Sequence, residues 1–129
     1  MTNDGLKSLF LALVLLLPVV SHGALAQQPQ EQPPDNIAGN WTIVANNIDK
    51  AGSSLKTVQI DQNGNIITGR FKGLHQSGKI QGWVKIHHVE FSTDTHEVLT
   101  FRGQINGNTM SGLYGINGRH AGWHAERTN

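Results

Sequence analysis

From Ile37 onward apolar and polar residues alternate with a period of two, the mark of strands that bury one face. Ile37, Trp41 and Ile43 share a face, as do Ile67, Gly69 and Phe71, then Leu99, Phe101 and Ile105, then Met110, Gly112 and Tyr114. No stretch beyond residue 37 carries a convincing 3.6-residue period. Asn63-Gly64, Asn106-Gly107 and Asn117-Gly118 each lie between β-prone runs, the strongest short signal for hairpin turns that need a positive φ. Pattern and turns together predict strands at about 37–45, 55–62, 65–72, 79–86, 87–92, 97–105, 108–115 and 119–127. The fold this implies is all-β, an eight-stranded antiparallel up-and-down meander barrel whose interior holds side chains or one small ligand. An open sandwich of the same strands is the alternative.

Nine letters are written almost twice. NGNIITGRF at 63–71 answers NGNTMSGLY at 106–114, an offset of 106 − 63 = 43. Further on, GKIQGW (78–83) answers GRHAGW (118–123) at an offset of 118 − 78 = 40, the connector between having lost three residues. Two similar four-stranded halves explain this, and so does the recurrence of convenient turn residues in any meander. Gly69, Gly82, Gly103, Gly112 and Gly122 stand in strand interiors, where glycine ordinarily weakens a sheet. Placed there repeatedly, they either let a small sheet curl and close or leave room inside it.

The ends of the chain set the context. Lys7, the apolar run Leu9–Val20 and Ala24-Leu25-Ala26 form a signal-peptide pattern over residues 1–26. The run of twelve positions, broken by Pro18, is short of the roughly 20 that span a bilayer. The product is therefore expected to be exported, periplasmic or extracellular, without a membrane anchor after cleavage. Residues 27–36, rich in Gln and Pro, read as a flexible leader, and 37–129 as one β-barrel domain. The chain contains no Cys, which excludes disulfides and a cysteine nucleophile. Its formal net charge of +1 survives the cut, because Lys7 and Asp4 leave together. A near-neutral chain without Lys/Arg clusters argues against a nucleic-acid or anionic-membrane partner.

Ile37-Ala38-Gly39-Asn40-Trp41 resembles the G-x-W first strand of the calycin superfamily, and within it the avidin-like barrels are most similar. GSSLKTVQIDQNGNIITGRF (52–71) is similar to their second hairpin, QGWVKI (81–86) to a tryptophan-bearing strand and TFRGQI (100–105) to a later one. The resemblance implies an eight-stranded meander with a ligand site at one mouth, Ser53 as a polar contact and Trp83 as an aromatic wall. Phe71 and Tyr114 stand where that family has other side chains, and its last acidic residue is missing, so the resemblance does not extend to biotin.

The residues that could bind are therefore Trp41, Ser53, Phe71, Trp83, Tyr114 and Trp123, rings for an apolar wall and a hydroxyl to orient a small apolar or amphipathic ligand. The competing reading is that the rings fill the core. A different class of function, a self-associating structural module, follows if Trp83 points inward. Ile80, Val84 and Ile86 would then form an outward stripe suited to a homo-oligomer. No catalytic set, cofactor motif or metal spacing is readable. His120 and His124 lie about 13 Å apart on a strand at ~3.3 Å per residue, too far to share one ion. Of the six histidines after residue 26, alternation with Val89 and Phe91 puts only His87 on the inner face.

Overall fold

The computed structural model describes residues 32–128; the signal-peptide reading of residues 1–26 and the first part of the leader lie outside them. Eight antiparallel strands run in chain order around a closed barrel, β1 (Gly39–Asn46), β2 (Ser53–Asn63), β3 (Ile66–Lys72), β4 (Ser77–Lys85), β5 (His88–Asp94), β6 (Thr100–Asn106), β7 (Thr109–Ile116) and β8 (Arg119–Thr128). The ring closes where β8 pairs with β1, Trp41 opposite Arg127 and Ala45 opposite Trp123. Closure leaves no free sheet edge, which suits a small chain that has no disulfides.

The repeated letters build matching hairpins. Asn63 pairs with Ile66 and Asn106 with Thr109, so the loop residues are Gly64-Asn65 and Gly107-Asn108, one residue later than the Asn-Gly pairs suggest. In both hairpins the glycine has φ +63° and comes first, as a type II′ turn requires. At the third site Asn117 and Gly118 are themselves the loop, both with positive φ, as a type I′ turn requires. The turn between β4 and β5 consists of Ile86 and His87, with Ile86 at φ +55°, rare for a β-branched residue.

Inside, Phe101 is the hub. It stacks on Phe91 with centroids 4.8 Å apart and on Tyr114 at 5.5 Å, and meets Trp123 edge-on at 5.4 Å and Phe71 at 6.4 Å. Such pairs contribute about 0.5–1.5 kcal/mol each beyond area burial. Their polar atoms are satisfied by backbone: Trp123 Nε1 donates to the Arg102 and Leu113 carbonyls, both at 3.1 Å, and Tyr114 donates to the Asn46 carbonyl at 2.5 Å. No buried side-chain nitrogen or oxygen among the described residues lacks a partner.

The inward glycines serve closure rather than space. A Cβ on Gly69 would lie 1.8 Å from the Gln59 carbonyl oxygen, and one on Gly112 would lie 1.9 Å from that of Arg102. Gln59 and Arg102 are themselves 43 residues apart, so the duplicated letters reproduce the same contact in both hairpins. Gly78, Gly82 and Gly103 meet facing carbonyls in the same way. The second match does not behave so. Inward residues of β8 are odd-numbered and those of β4 even-numbered, so an offset of 40 pairs opposite faces. Trp123 is buried while Trp83, 38% accessible, stands on the outer wall.

One end of the barrel is sealed by residues before β1. Asp35 N–H donates to the Ile86 carbonyl at 2.8 Å, Gln62 Nε2 donates to the Asp35 carbonyl at 2.9 Å, and Ile37 N–H donates to Gln62 Oε1 at 2.8 Å. Ile37 is fully buried and its carbonyl accepts from Trp41 Nε1 at 2.9 Å. The ordered bonding thus begins at Asp35, inside the stretch read as leader. Arg127 clamps this strap: its guanidinium donates to the carbonyls of Ala38 and Asn36 and to Asn108 Oδ1, and lies 4.7 Å from the Trp41 ring centroid.

Gly69→Ala and Gly112→Ala should each destabilise the barrel by about 2–3 kcal/mol in urea unfolding, the scale of overpacking against an unyielding neighbour. Gly122→Ala, whose Cβ would meet nothing closer than 3.4 Å, should cost less than about 1 kcal/mol. Equal losses at all three positions would refute the closure argument.

Candidate functional site

The two ends of the barrel differ in how far solvent reaches the inner face. Near the strap, Ile37, Trp41, Ile67, Val84, Val89, Ile105, Met110 and Ala125 are all buried. At the opposite end, formed by loops 47–52, 73–76 and 95–99 and the turn at 117–118, the inner-face residues Ser54, Lys56, Gly73, Ile116 and Ala121 stay partly accessible. This loop end is the candidate site.

Its floor is set by strand register. Ser54 faces Ala45 and Lys56 faces Ile43 across β1, and both alternate with Val58 and Ile60, which are buried. Lys56 is therefore aimed inward, the one lysine of the five described that is not exposed. Its Nζ donates to Ser54 Oγ at 3.1 Å, and no described carboxylate lies within ion-pair distance of it. Burial pushes its pKa below the ordinary lysine value. Burial likewise raises the Tyr114 phenol, whose proton is held by the Asn46 carbonyl.

The rim is tied in pairs. Asp49 binds Arg119, joining the β1–β2 loop to the β7–β8 turn. Gln76 exchanges two hydrogen bonds with the backbone of Glu97, joining the β3–β4 and β5–β6 loops. Beneath the second pair, Thr93 accepts from Leu99 N–H at 3.0 Å and contacts the Thr95 hydroxyl at 2.6 Å, which pins the β5–β6 loop.

The sequence-derived residues divide accordingly. Phe71 and Tyr114 lie below the loop end as core, and Trp41 and Trp123 lie deeper, all four at most 5% accessible. Ser53 is exposed on the outer face; the hydroxyl that points in is that of Ser54. Trp83 lines no interior wall, lying instead tilted against His88 with centroids 5.4 Å apart, beside an outer hollow of about 630 Å³. Ile80 and Val84 are core residues and Ile86 is a turn residue, so the proposed outward stripe does not exist. His87 is likewise in that turn, exposed, with Nδ1 2.8 Å from Asp35 at the strap end and far from the loop end. Among the described residues no three His, Cys, Asp or Glu side chains converge as a metal site.

Alternation would have revealed both corrections on β2 and β4. Ser54 and Lys56 fall in phase with Val58 and Ile60, and Lys79, Gln81 and Lys85 mark the face of Trp83 as outward. A larger open hollow, about 880 Å³, crosses the outer wall over β5–β8 beside His88, Arg102, Leu113 and His120. Comparison of the chain with protein-family models, curated proteins and solved structures gave no match.

Trp123→Ala should cost about 3–5 kcal/mol of stability, and Trp83→Ala about 1 kcal/mol or less, as read by urea unfolding; the opposite order would put Trp83 inside. For Lys56 the unfolded chain binds more protons than the folded one between the lowered folded pKa and about 10.4. Stability should therefore rise with pH through that window. Lys56→Met should remove this rise, so that its stability advantage is largest at neutral pH and shrinks toward pH 10. A difference that is flat with pH would contradict burial of the amine.

Proposed function

We propose that this protein is an exported binding barrel that takes a small ligand at its loop end, above the aromatic core rather than within it. The observation that carries the reading is Lys56, a cationic group turned inward at the accessible end with one hydroxyl and no carboxylate for company. Polar groups in such a setting are favourable when a ligand completes their hydrogen bonding. Ser54 offers a second polar contact, while Ile48, Ile116 and Ala121, packed against the core, offer apolar surface to the rest of the molecule. The ligand fitting this arrangement is amphipathic and small, its polar end toward Lys56. Export rests on the signal-peptide pattern. The likeness to avidin-like barrels belongs to this reading as far as strand number and order; the ring positions support a filled centre instead.

We read the protein as a binder, not an enzyme. Lys56 has no partner acid or base in reach, and His87 belongs to the strap. Self-association loses its original motive with Ile80 and Val84 in the core; a monomer at micromolar concentration in sedimentation would remove it altogether.

A thermal-shift screen of small metabolites should return ligands whose stabilisation is lost in Lys56→Met and retained in Trp83→Ala. Loss of a charge-assisted contact should weaken binding by about 1.5–3 kcal/mol. Hits that depend on Trp83 and ignore Lys56 would move the site to the outer wall and overturn the proposal.

A further inference from the structure

We propose that Lys56 is a carbonyl-capturing amine, whose Nζ adds to the aldehyde of a small ligand entering the loop end and holds it as an imine. The inference rests on the reading of the loop end as a ligand mouth and names the chemistry that mouth would favour.

Three features of the site lead there. First, Lys56 is separated from the other described lysines by placement: Lys50, Lys72, Lys79 and Lys85 are exposed, whereas Lys56 alternates with buried Val58 and Ile60 on the inner face. Second, the usual means of keeping a half-buried ammonium charged is missing. The rim carboxylate Asp49 is bound to Arg119, and Nζ has only the Ser54 hydroxyl, at 3.1 Å. Third, the Tyr114 phenol at this end commits its own proton to the Asn46 carbonyl. A desolvated amine without a counter-charge is shifted toward its neutral form, the state that attacks carbonyl carbon.

The reaction needs no second reagent. The Nζ lone pair forms a bond to the carbonyl carbon while the oxygen takes a proton from solvent and the nitrogen releases one. Loss of water from this carbinolamine leaves C=N, so that aldehyde and amine give imine and one water with no change of oxidation state. Hydrolysis reverses the step. The outcome is reversible covalent retention, which is consistent with a binder that lacks a second catalytic group.

The test uses the full chain, limiting propanal and sodium cyanoborohydride at neutral pH, with peptide mass mapping of the reduced adduct. Lys56 should be alkylated several-fold faster than each of Lys50, Lys72, Lys79 and Lys85, and the preference should vanish when the chain is unfolded in urea. Labelling of Lys56 no faster than the exposed lysines overturns the inference, as does a preference that persists in urea, which would belong to local sequence rather than to the fold. Screen hits that need Lys56 for thermal stabilisation, in a protein that shows no selective adduct, would leave the binding site standing and remove the capture step alone. Lys56→Arg, which keeps the charge, should abolish the adduct while still stabilising against heat with any purely ionic ligand.

Discussion

Everything else in this barrel depends on how closely its strands approach one another where the wall bends. At Gly69 and Gly112 the facing carbonyl occupies the space of a side chain, so the wall curves inward without a void. That curvature brings Phe71, Phe91, Phe101, Tyr114 and Trp123 into mutual contact around a single ring. A core of this kind, dense and with its indole and phenol groups bonded to backbone, gives a small domain cohesion without disulfides. It also uses up the interior. Chemistry is left to an end of the barrel.

The two ends have been treated differently by the sequence. At one, Ile37 enters the core and Arg127 binds the strap through the Asn36 and Ala38 carbonyls while also holding Asn108 and the Trp41 ring face. Bonds from Gln62 and the hydrogen bond between His87 and Asp35 add to the seal. At the other, Leu99 is buried and Ile48 packs against the core, Ser54 and Lys56 stay partly accessible, and the loops are held to one another at the rim. Pairwise ties of that sort hold the loops around an inward lysine that solvent still reaches.

Much of the architecture was legible beforehand because a half-buried strand writes its own period. The eight strands, the matching hairpins and the inner faces of β1, β3, β6 and β7 followed from alternation and from turn glycines. The candidate site was less legible, for physical reasons. On β2 the inner face turns polar at Ser54 and Lys56 while Leu55 lies exposed, so hydrophobicity points the wrong way at the loop end of the strand. On β4 the shared Gly-Trp letters outweighed the polar neighbours Lys79, Gln81 and Lys85, and the three-residue loss in the connector, an odd number, reversed their facing. His87 was misplaced because Ile86 makes a turn without the Asn or Gly that announces one. The signal-like residues 1–26 lie outside the described residues.

The strap has a practical bearing on how the molecule can be handled. Asp35 and Thr128 both lie at the sealed end, one bonded beside the β4–β5 turn and the other against Asn40. The described chain thus enters and leaves on the side away from Lys56. A tag, a partner domain or a solid support joined directly before Asp35 or directly after Thr128 would attach at the sealed end and leave the loop end facing away from the join. The geometry suits this domain to display, where an attached surface leaves the face of interest free.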